Sequence, residues 1–498
     1  MKRSMKPERL GRKPRQRDLW LAVGLACLQA ACGGPPGASP STTSATPAHA
    51  PDRTQAVAGT ATPAAAEWDT YMGDPARSGA GPASPPATRP RRTWTAAIEG
   101  EVYAEPLVSG LSVIVATEQN WVYSLQATNG VAAWRSRLGD PVPSAKLECG
   151  HIDPNGVTST PVIDPKAGMV YLVAMLDSPI RHELYALRLA DGAVAWHRVV
   201  DPPGGDPGHH QQRGSLNLAG GRVYFSYGGF TGDCGDYHGV VVSAPVDGIG
   251  PLSSWTVPSE NRGAIWAAPG PLVDASGDVW VSTADTDRIK PGDPFDGANS
   301  VVRISADLTR ALDSWTPKNW AELNRRDIDL GSGNPALLPG GLAFITGKDG
   351  IGYLLKRDHL AGIGGEIFSA QVCQTGGPTG GAFGGDAVLG EMVYVPCKDG
   401  LIAVRVNAAA GTFKVAWSAS KIVNSPIFAY GRVWTVASDN GFHRNPGWNG
   451  TLVGLDPTTG AVKTSLYLGP IPHFASPAAA GGSIYVSGLG GVYAVSVA

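Results

Sequence analysis

The chain lacks several features that mark common classes of protein. Charged residues make up only 16% of its 498 residues, the formal net charge is −2 and the repeated part of the chain shows no basic stripe, so a nucleic-acid partner is not expected. The six cysteines show no CxxC spacing, which leaves zinc binding unsupported. The apolar run 19–31 is too short to span a bilayer as a mature helix. What the chain does contain is 43% apolar residues, enough for a large core, with 66 glycines and 41 prolines.

Residues 100–135 contain the unit from which most of the chain is built. Four short runs follow one another there: EPLVSG, LSVIVAT, WVYSLQATNG and VAAWRSRL. The second and third runs are rich in β-branched and aromatic residues, and turn residues separate them. The unit is therefore predicted to form one four-stranded antiparallel sheet.

The beginning of this unit recurs along the chain. Small residues, often followed by Pro, mark eight first strands at 104–106, 159–161, 214–216, 269–271, 333–335, 385–387, 424–426 and 475–477. Repeats of roughly 40 to 60 residues that each supply a four-stranded sheet are typical of β-propellers, whose blades stack around an axis. The predicted fold is all-β, an eight-bladed β-propeller with four antiparallel strands per blade.

The two ends of the chain are predicted to meet in the last blade. The eighth unit ends at Ala498 after its third strand, whereas 91–98 has the Trp-bearing pattern of a fourth strand but precedes the first complete blade. We expect this N-terminal strand to complete blade 8 and close the ring. Two stacked sheets or a β-solenoid are the alternatives.

The first 66 residues have the character of a targeting segment and a tether. A basic start, the apolar run 19–31 and the sequence LQAACG around Cys32 resemble a bacterial lipoprotein signal, which makes Cys32 the predicted lipidation site. Gln29 departs from the usual aliphatic residue, and plain secretion is the alternative. Residues 33–66, dominated by Pro, Ser, Thr, Ala and Gly, are predicted to be a flexible linker, and 67–498 the propeller.

Four cysteines remain after the signal segment, and an even number in an exported chain predicts two disulfides. In a propeller, loops that lead into first strands and loops that join second to third strands lie on one face, and Cys149, Cys234, Cys373 and Cys397 all fall in such loops. Cys373 and Cys397 belong to one blade entrance and form the easier pair. Cys149 is then left for Cys234.

The same rim collects unusual polar residues, and the mouth of the axis is where a propeller's binding site is expected. The candidate ligand-binding residues are His151, Asp153, His209, His210, Arg213, Asp236, His238, Asp285, Asp329 and His443. No residue is assigned a catalytic or metal-binding role.

These candidates have structural alternatives. The Asp-Gly pairs 349–350 and 399–400 are, first of all, hairpin turns. The loop 285–299 has enough oxygen ligands for Ca²⁺, but its spacing is not that of an EF-hand, and Arg288 and Lys290 could pair with its carboxylates instead.

The blade signature, the Trp-bearing fourth strands and the segment 68–79 resemble the PQQ-type (quinoprotein alcohol dehydrogenase-like) propeller superfamily over residues 68–498. The resemblance implies that 68–79 plugs or crosses the ring. Trp68 and Tyr71 would be buried anchors of this segment, and Arg77 would pair with a carboxylate.

Two subclasses of this superfamily imply different functions. In the enzymes, a quinone lies between a Trp and a disulfide of adjacent cysteines, with Ca²⁺ held by Glu and Asn and an Asp as base. This chain has no adjacent cysteines, no CxxCH haem motif and no recognisable Glu/Asn/Asp set, so PQQ and Ca²⁺ are not expected as firm cofactors. The other subclass is similar to the BamB lipoproteins of outer-membrane protein assembly, which bind partner proteins through rim loops.

The lipobox, linker and blade count match the BamB-like subclass, although the rim cysteines and His-rich loops do not belong to its pattern. The expected function is an exported, lipid-anchored binding or scaffold module of the cell envelope. Its partner would be an envelope protein or a small-molecule or glycan ligand at the mouth, with membrane contact through the lipid only. The alternative is a PQQ-dependent oxidoreductase or another enzyme with its site at the mouth.

Overall fold

Eight sheets surround one axis in the computed structural model, which describes residues 67–83, 89–288, 290, 292–421, 424–438 and 448–497. Strands pair antiparallel in chain order within each blade, from an inner first strand to an outer fourth strand. The eight-bladed propeller predicted from the repeats is confirmed.

The strands of blades 1 to 4 are, in order, Leu107–Ser109, Ser112–Ala116, Trp121–Gln126 and Ala132–Arg137; Val162–Asp164, Met169–Leu176, Arg181–Arg188 and Val194–Val199; Asn217–Ala219, Arg222–Gly229, Val240–Pro245 and Ser253–Thr256; and Leu272–Val273, Val279–Ser282, Val301–Ile304 and Ala311–Thr316. Those of blades 5 to 8 are Ala336–Leu338, Leu342–Thr346, Ile351–Lys356 and Phe368–Gln371; Ala387–Leu389, Met392–Cys397, Gly400–Asn407 and Thr412–Ser420; Ile427–Ala429, Arg432–Ser438, Trp448–Leu455 and Val462–Ile471; and Ala478–Ala480, Ser483–Ser496 and Arg91–Glu101.

A few elements lie outside this pattern. Glu67–Trp68 adds to blade 1, His210–Gln211 to blade 3 and, in parallel, Gly362–Ile363 to blade 4. The described helices are the α-helix Trp320–Arg325 and the 3₁₀ turns Tyr71–Gly73, Ser144–Lys146, Pro207–His209, Leu330–Ser332 and Pro339–Gly341. In the described ranges, no helix has the length and apolar character needed to cross a membrane.

Burial follows the position of a strand in its blade. The middle strand Met169–Leu176 is buried along nearly all its length, because both of its faces pack against neighbouring blades. The outer strand Ala132–Arg137 alternates exposed and half-buried residues, as expected where one edge faces water.

A tryptophan of the fourth strand packs on a glycine of the next blade. A Cβ atom at Gly130 would lie 2.6 Å from the ring of Trp94, and the φ of +73° there also favours glycine. The Trp94 indole donates to the carbonyl of Ala127 at 2.9 Å. The same packing joins Trp134 to Gly192, Trp196 to Gly248 and Trp417 to Gly460. The glycines of these turns therefore serve contact between blades as well as chain reversal.

The N-terminal strand closes the ring in the same way. Arg91–Glu101 pairs with the second half of Ser483–Ser496, with Thr95 opposite Tyr493, while the first half of Ser483–Ser496 pairs with Ala478–Ala480. The rings of Trp94 and Tyr485 lie 5.9 Å apart. The predicted closure is confirmed, and stacked sheets and a solenoid are ruled out as the fold.

Residues 67–83, called the plug segment from here on, cross the axis. Trp68 and Tyr71 are each 2% exposed, as expected for anchors. Arg77 does not pair with a carboxylate within the described part of the chain, contrary to the prediction. Its guanidinium donates to the carbonyl oxygens of Leu216 at 2.7 Å and Tyr71 at 3.0 Å, while the charges of Asp74 and Glu105 act on it without forming an ion pair.

Backbone hydrogen bonds connect the plug segment to the inner strands of several blades. The carbonyl oxygens of Asp69, Pro75, Ser78 and Gly79 accept from the amides of Ile163 in blade 2, Val273 in blade 4, Val388 in blade 6 and Phe428 in blade 7, at 2.7–2.9 Å. The segment thereby supports the axial end of the ring opposite the mouth loops.

Candidate ligand-binding site at the propeller mouth

Two disulfides brace the rim. Cys149 is bonded to Cys234 and Cys373 to Cys397, with Cα atoms 6.0 and 5.4 Å apart. Both predicted pairs are confirmed, so these thiols are engaged with each other rather than with zinc. Disulfides of this kind are typical of proteins that mature outside the cytoplasm.

A cavity of about 610 Å³ opens at the mouth of the axis. Its aromatic lining consists of Tyr103, Phe230, Tyr237, Trp266, Phe383 and Phe474. Its charged lining consists of Glu101, Asp153, Arg213, Asp233, Asp285, Asp327, Asp329 and Lys348. The volume is that of a small-molecule site, and its lining combines aromatic rings with charged groups that can orient a ligand.

A row of aromatic rings connects two cations across the cavity. The centroids of Trp266 and Phe383 are 6.3 Å apart, and those of Phe383 and Phe474 are 6.0 Å apart. Lys348 lies over Trp266 at 5.9 Å, and Arg213 lies over Phe474 at 4.6 Å. A planar or apolar group can lie on this row while polar groups of the same ligand reach either end.

At one end of the row, Lys348 balances a cluster of carboxylates. Its Nζ is 2.6 Å from Asp329 and 2.9 Å from Asp327. Burial would raise the pKa of Asp329, but the charge of Lys348 and hydrogen bonds hold it below its usual value. Burial, followed by the charge of Asp329, raises the pKa of Asp285 well above its usual value. The two carboxyl groups form a coupled pair whose pKa values are moved in opposite directions.

The cluster does not fit the calcium site that the superfamily implies. The carboxylates of Asp285, Asp327 and Asp329 lie close enough together to share an ion. However, the ammonium of Lys348 already bonds to two of them, and Arg262 lies 3.6 Å from the third. A divalent ion would have to compete with these two cations, and the cluster consists of Asp residues alone rather than Glu and Asn.

Arg213, at the other end of the row, differs from Lys348. Within the described residues its contact is with the face of Phe474, and it forms neither an ion pair nor a hydrogen bond. Burial lowers the pKa of Arg213 to about 10, which still leaves the guanidinium charged at neutral pH. A charged guanidinium that lines a cavity and is not paired with a carboxylate can bind an anion.

The predicted rim residues separate into two groups. Those that line the cavity are His151, Asp153, Arg213, Asp285 and Asp329. His209, His210, Asp236 and His238 are not among the described lining residues, and His443 lies outside the described residues. The function of all of these residues remains a prediction.

The histidines of blade 3 take part in contacts within the propeller wall. His210 is buried, lies 2.8 Å from the carbonyl oxygen of Asp206 through Nδ1 and accepts from the His238 amide at 3.2 Å through Nε2. His238 lies 3.1 Å from the carbonyl oxygen of Glu260. Burial lowers the pKa of His210 to about 4, so this ring is neutral and fully used in packing.

The loop 285–299 is held together by ion pairs. Arg262 lies 3.6 Å from Asp285 and 3.3 Å from Asp287, and Arg288 lies 3.7 Å from Asp296. The Arg288 pairing considered from the sequence is present.

Sequence reasoning missed much of the cavity. Trp266, His473 and Phe474 lie in loops that lead into first strands, and Lys348 lies between the second and third strands of blade 5. The cysteines were assigned to the rim because they lie in these two kinds of loop. The same rule, applied to every blade, would also have assigned these four residues to the rim. Lys348 directly precedes the Asp-Gly pair 349–350, which the sequence predicts to be a hairpin turn.

Comparisons with known proteins agree with this fold. Residues 88–233 match a family model described as outer membrane protein assembly factor BamB. No curated protein matches the sequence. The fold is similar to that of the quinohemoprotein alcohol dehydrogenase from Comamonas testosteroni, with 15% identity, a TM-score of 0.65 and coverage of 86% of this chain and 80% of that one.

Two further solved structures share the fold. The quinohemoprotein alcohol dehydrogenase ADHIIG from Pseudomonas putida HK5 gives a TM-score of 0.67 at 12% identity, covering 86% of this chain and 80% of that one. BamB from Moraxella catarrhalis gives a TM-score of 0.52 at 12% identity, covering 82% and 97%. At these identities the likeness concerns the fold.

The sheet order, ring closure and axial cavity define the protein as an eight-bladed β-propeller with a small-molecule-sized mouth cavity. More narrowly, residues 88–233 are similar in sequence to the BamB family model, and the fold is similar to that of quinohemoprotein alcohol dehydrogenases.

Proposed function

We propose that the protein is an exported, lipid-anchored propeller that acts as a binding module in the cell envelope, and that its mouth cavity binds a small anionic ligand. Arg213 carries the second part of this proposal. It is a charged guanidinium with an aromatic floor and no carboxylate partner among the described residues. A ligand with a carboxylate or phosphate would supply the missing charge, and the row of rings would pack against its apolar part.

The signal-like sequence around Cys32 and the two disulfides support export. The anchor is tested by membrane fractionation of the full chain and of Cys32→Ala. The proposal expects the first in the membrane fraction and the second in the soluble fraction. An unchanged distribution would mean that the protein is secreted or retained by another route.

The ligand is tested by calorimetry and thermal shift of the detergent-solubilised chain with organic carboxylates, organophosphates, acidic and neutral glycans and PQQ. We expect an anionic compound to bind and Arg213→Gln to weaken it by about tenfold or more, because a charge-assisted hydrogen bond is lost. Arg135→Gln is the matched control, since Arg135 also stacks on an aromatic ring, Trp121, but on the outer strand of blade 1. Equal affinity for Arg213→Gln, or binding of neutral glycans alone, would refute the anion site.

A second candidate is an oxidoreductase or another enzyme at the same mouth. The observation that favours it is the pair of Asp285 and Asp329, whose pKa values are moved in opposite directions, as in acid–base pairs of enzymes. Tight binding of PQQ together with dye reduction on alcohols or sugars would establish this candidate in place of a pure binding role.

A further inference from the structure

The mouth cavity carries more negative charge than a site for a simple anion would. Six of the eight charged side chains that line it are carboxylates, and the other two are Arg213 and Lys348. A ligand with negative charge alone would meet like charge over most of the wall, and like charges that face each other weaken binding. A ligand that also carries a cationic group avoids this repulsion.

Part of the surplus carboxylate charge lies at the Lys348 end of the aromatic row. Lys348 bonds to Asp327 and Asp329, and the carboxylate of Asp285 lies close to both. Arg262, the second cation near this cluster, lies 3.6 Å from Asp285 but is shared with Asp287 at 3.3 Å. The two cations are therefore outnumbered by the carboxylates that they contact.

Asp233 adds a further negative charge at this end. It lines the cavity, and its charge acts on Asp285. Its carboxylate accepts from the Tyr237 hydroxyl at 2.6 Å and forms no ion pair within the described residues. Tyr237 and Trp266 line the same wall, and aromatic faces beside carboxylates favour an ammonium group.

An unpaired amide lies in the part of the wall that leads to Arg213. Gln211 is 7% exposed, lines the cavity and precedes Arg213 by two residues. Its side-chain amide has no hydrogen-bond partner in the described part of the chain. Because a buried amide without a partner costs free energy, this position favours a ligand that supplies a polar group next to Arg213.

The aromatic row sets the distance between the two ends. Trp266 and Phe474 are connected through Phe383 by two centroid steps of 6.3 and 6.0 Å. At about 3.3–3.6 Å per residue, at most about three or four residues of extended chain span these two steps. The two charged ends of a single amino acid lie too close together to reach both ends of the row.

We propose that the ligand of the mouth cavity is a short peptide with free termini, about three or four residues long. Its carboxylate binds Arg213 and Gln211, and its ammonium group lies beside Asp233 at the Trp266 end. Its apolar side chains pack on the row of rings. This inference rests on the proposed anion site at Arg213 and names the class of ligand that the site takes.

The ligand class is tested by calorimetry of the detergent-solubilised full chain with four probes. These are the tripeptide Ala-Phe-Ala with free termini, its N-acetylated form, its C-amidated form and phenylpropionate, an acid without an amine. We expect the free peptide to bind most tightly, and each blocked form to bind about tenfold or more weakly, because a charge-assisted hydrogen bond is lost.

Two variants test the two ends separately. Asp233→Asn keeps an acceptor for the Tyr237 hydroxyl but removes the charge, so it should weaken the free peptide severalfold and not weaken the N-acetylated peptide. Gln211→Leu should weaken both peptides. Asp191→Asn is the matched control and should bind as the wild type does, since Asp191 is exposed on the blade 2 hairpin and pairs with Arg188. Thermal melts of each variant separate loss of binding from loss of the fold.

The outcomes distinguish this inference from the anion site on which it rests. If the N-acetylated peptide or phenylpropionate bound as tightly as the free peptide, and Arg213→Gln weakened them, the peptide assignment would be wrong and the anion site would stand. Equal affinity of Asp233→Asn and the wild type for the free peptide would also contradict the assignment. If Arg213→Gln left the affinity for every probe unchanged, the anion site and the peptide assignment would both be wrong.

Discussion

At the scale of single residues, Lys348 has the largest electrostatic role in the mouth. The sequence places it in an ordinary turn before Asp349, but the structure buries it against Asp329 and Asp327. Its pKa is raised, because the two carboxylates outweigh the cost of burial. The cavity therefore keeps a fixed internal cation next to Trp266.

Lys348→Ala is expected to lower the free energy of unfolding by about 3 kcal/mol at pH 7, because it leaves buried charge uncompensated. The pKa of Asp329 is depressed in the folded wild type, so this stabilisation is present above the ordinary Asp value of 3.8 and is lost as pH falls below it. Denaturant unfolding at several pH values should show the gap between wild type and variant narrow in acid.

Lys463→Ala is the matched control, since Lys463 forms a more exposed pair with Asp456 at 3.6 Å and should matter little. A gap that stays constant down to about pH 2 would contradict the role given to Asp329.

At the scale of elements, the plug segment depends on one buried acid. Glu105 accepts from the Trp68 indole at 2.6 Å and from the Met72 amide at 3.0 Å, and its second oxygen has no partner among the described residues. Burial raises the pKa of Glu105 to about 7. The folded state therefore holds a proton that the unfolded state releases above pH 4.5.

Because the folded state binds the extra proton, Glu105 makes stability fall as pH rises from about 4.5 through about 7. Glu105→Gln keeps an acceptor for Trp68 and Met72 but removes this titration. The free energy of unfolding of the variant should exceed that of the wild type by an amount that grows to about 1–3 kcal/mol between about pH 5 and about pH 8, measured by denaturant unfolding.

Glu118, whose pKa burial also raises to about 7, is present in both proteins and cancels from the difference. Glu67→Gln, at an exposed carboxylate of the same segment, is the control. If the free energies of unfolding of the wild type and Glu105→Gln changed with pH in parallel, Glu105 would be ionised in the folded protein.

At the scale of the whole molecule, the ring depends on a strand that joins the two ends of the chain. Trp94 is 8% exposed, packs on Gly130 of blade 1 and on Tyr485 of blade 8, and so links the first and last blades.

Trp94→Ala is expected to lower the free energy of unfolding by about 3 kcal/mol, because a large buried side chain is lost where the ring closes. The measurement is the denaturant midpoint, with limited proteolysis reporting whether the N-terminal strand detaches. Tyr467→Ala is the control, since Tyr467 is an aromatic residue that is 56% exposed on the outer strand of blade 7. If Trp94→Ala and Tyr467→Ala lowered the free energy of unfolding by the same small amount, the role of Trp94 in ring closure would be refuted.

Local patterns allowed most of the architecture to be predicted. The recurring first-strand residues, the Trp-bearing strand at 91–98 and the loop classes of the cysteines each depend on short-range chemistry and on the repeat. The binding site was harder to predict. The sequence placed Arg213 and Asp329 on the rim, but it did not show which residues contact each of them. His210 was chosen for its position, but its ring is used inside the wall.

The sequence by itself determined the blades, the strand that closes the ring and the cysteine pairs, because alternation of side chains, turn residues and repeat spacing act over a few tens of residues. Only the tertiary structure decided which charges meet. Whether Lys348 finds Asp329, Arg213 faces Phe474, or His151 reaches His473 depends on distances across the axis between loops of different blades, and neither spacing nor composition encodes those distances.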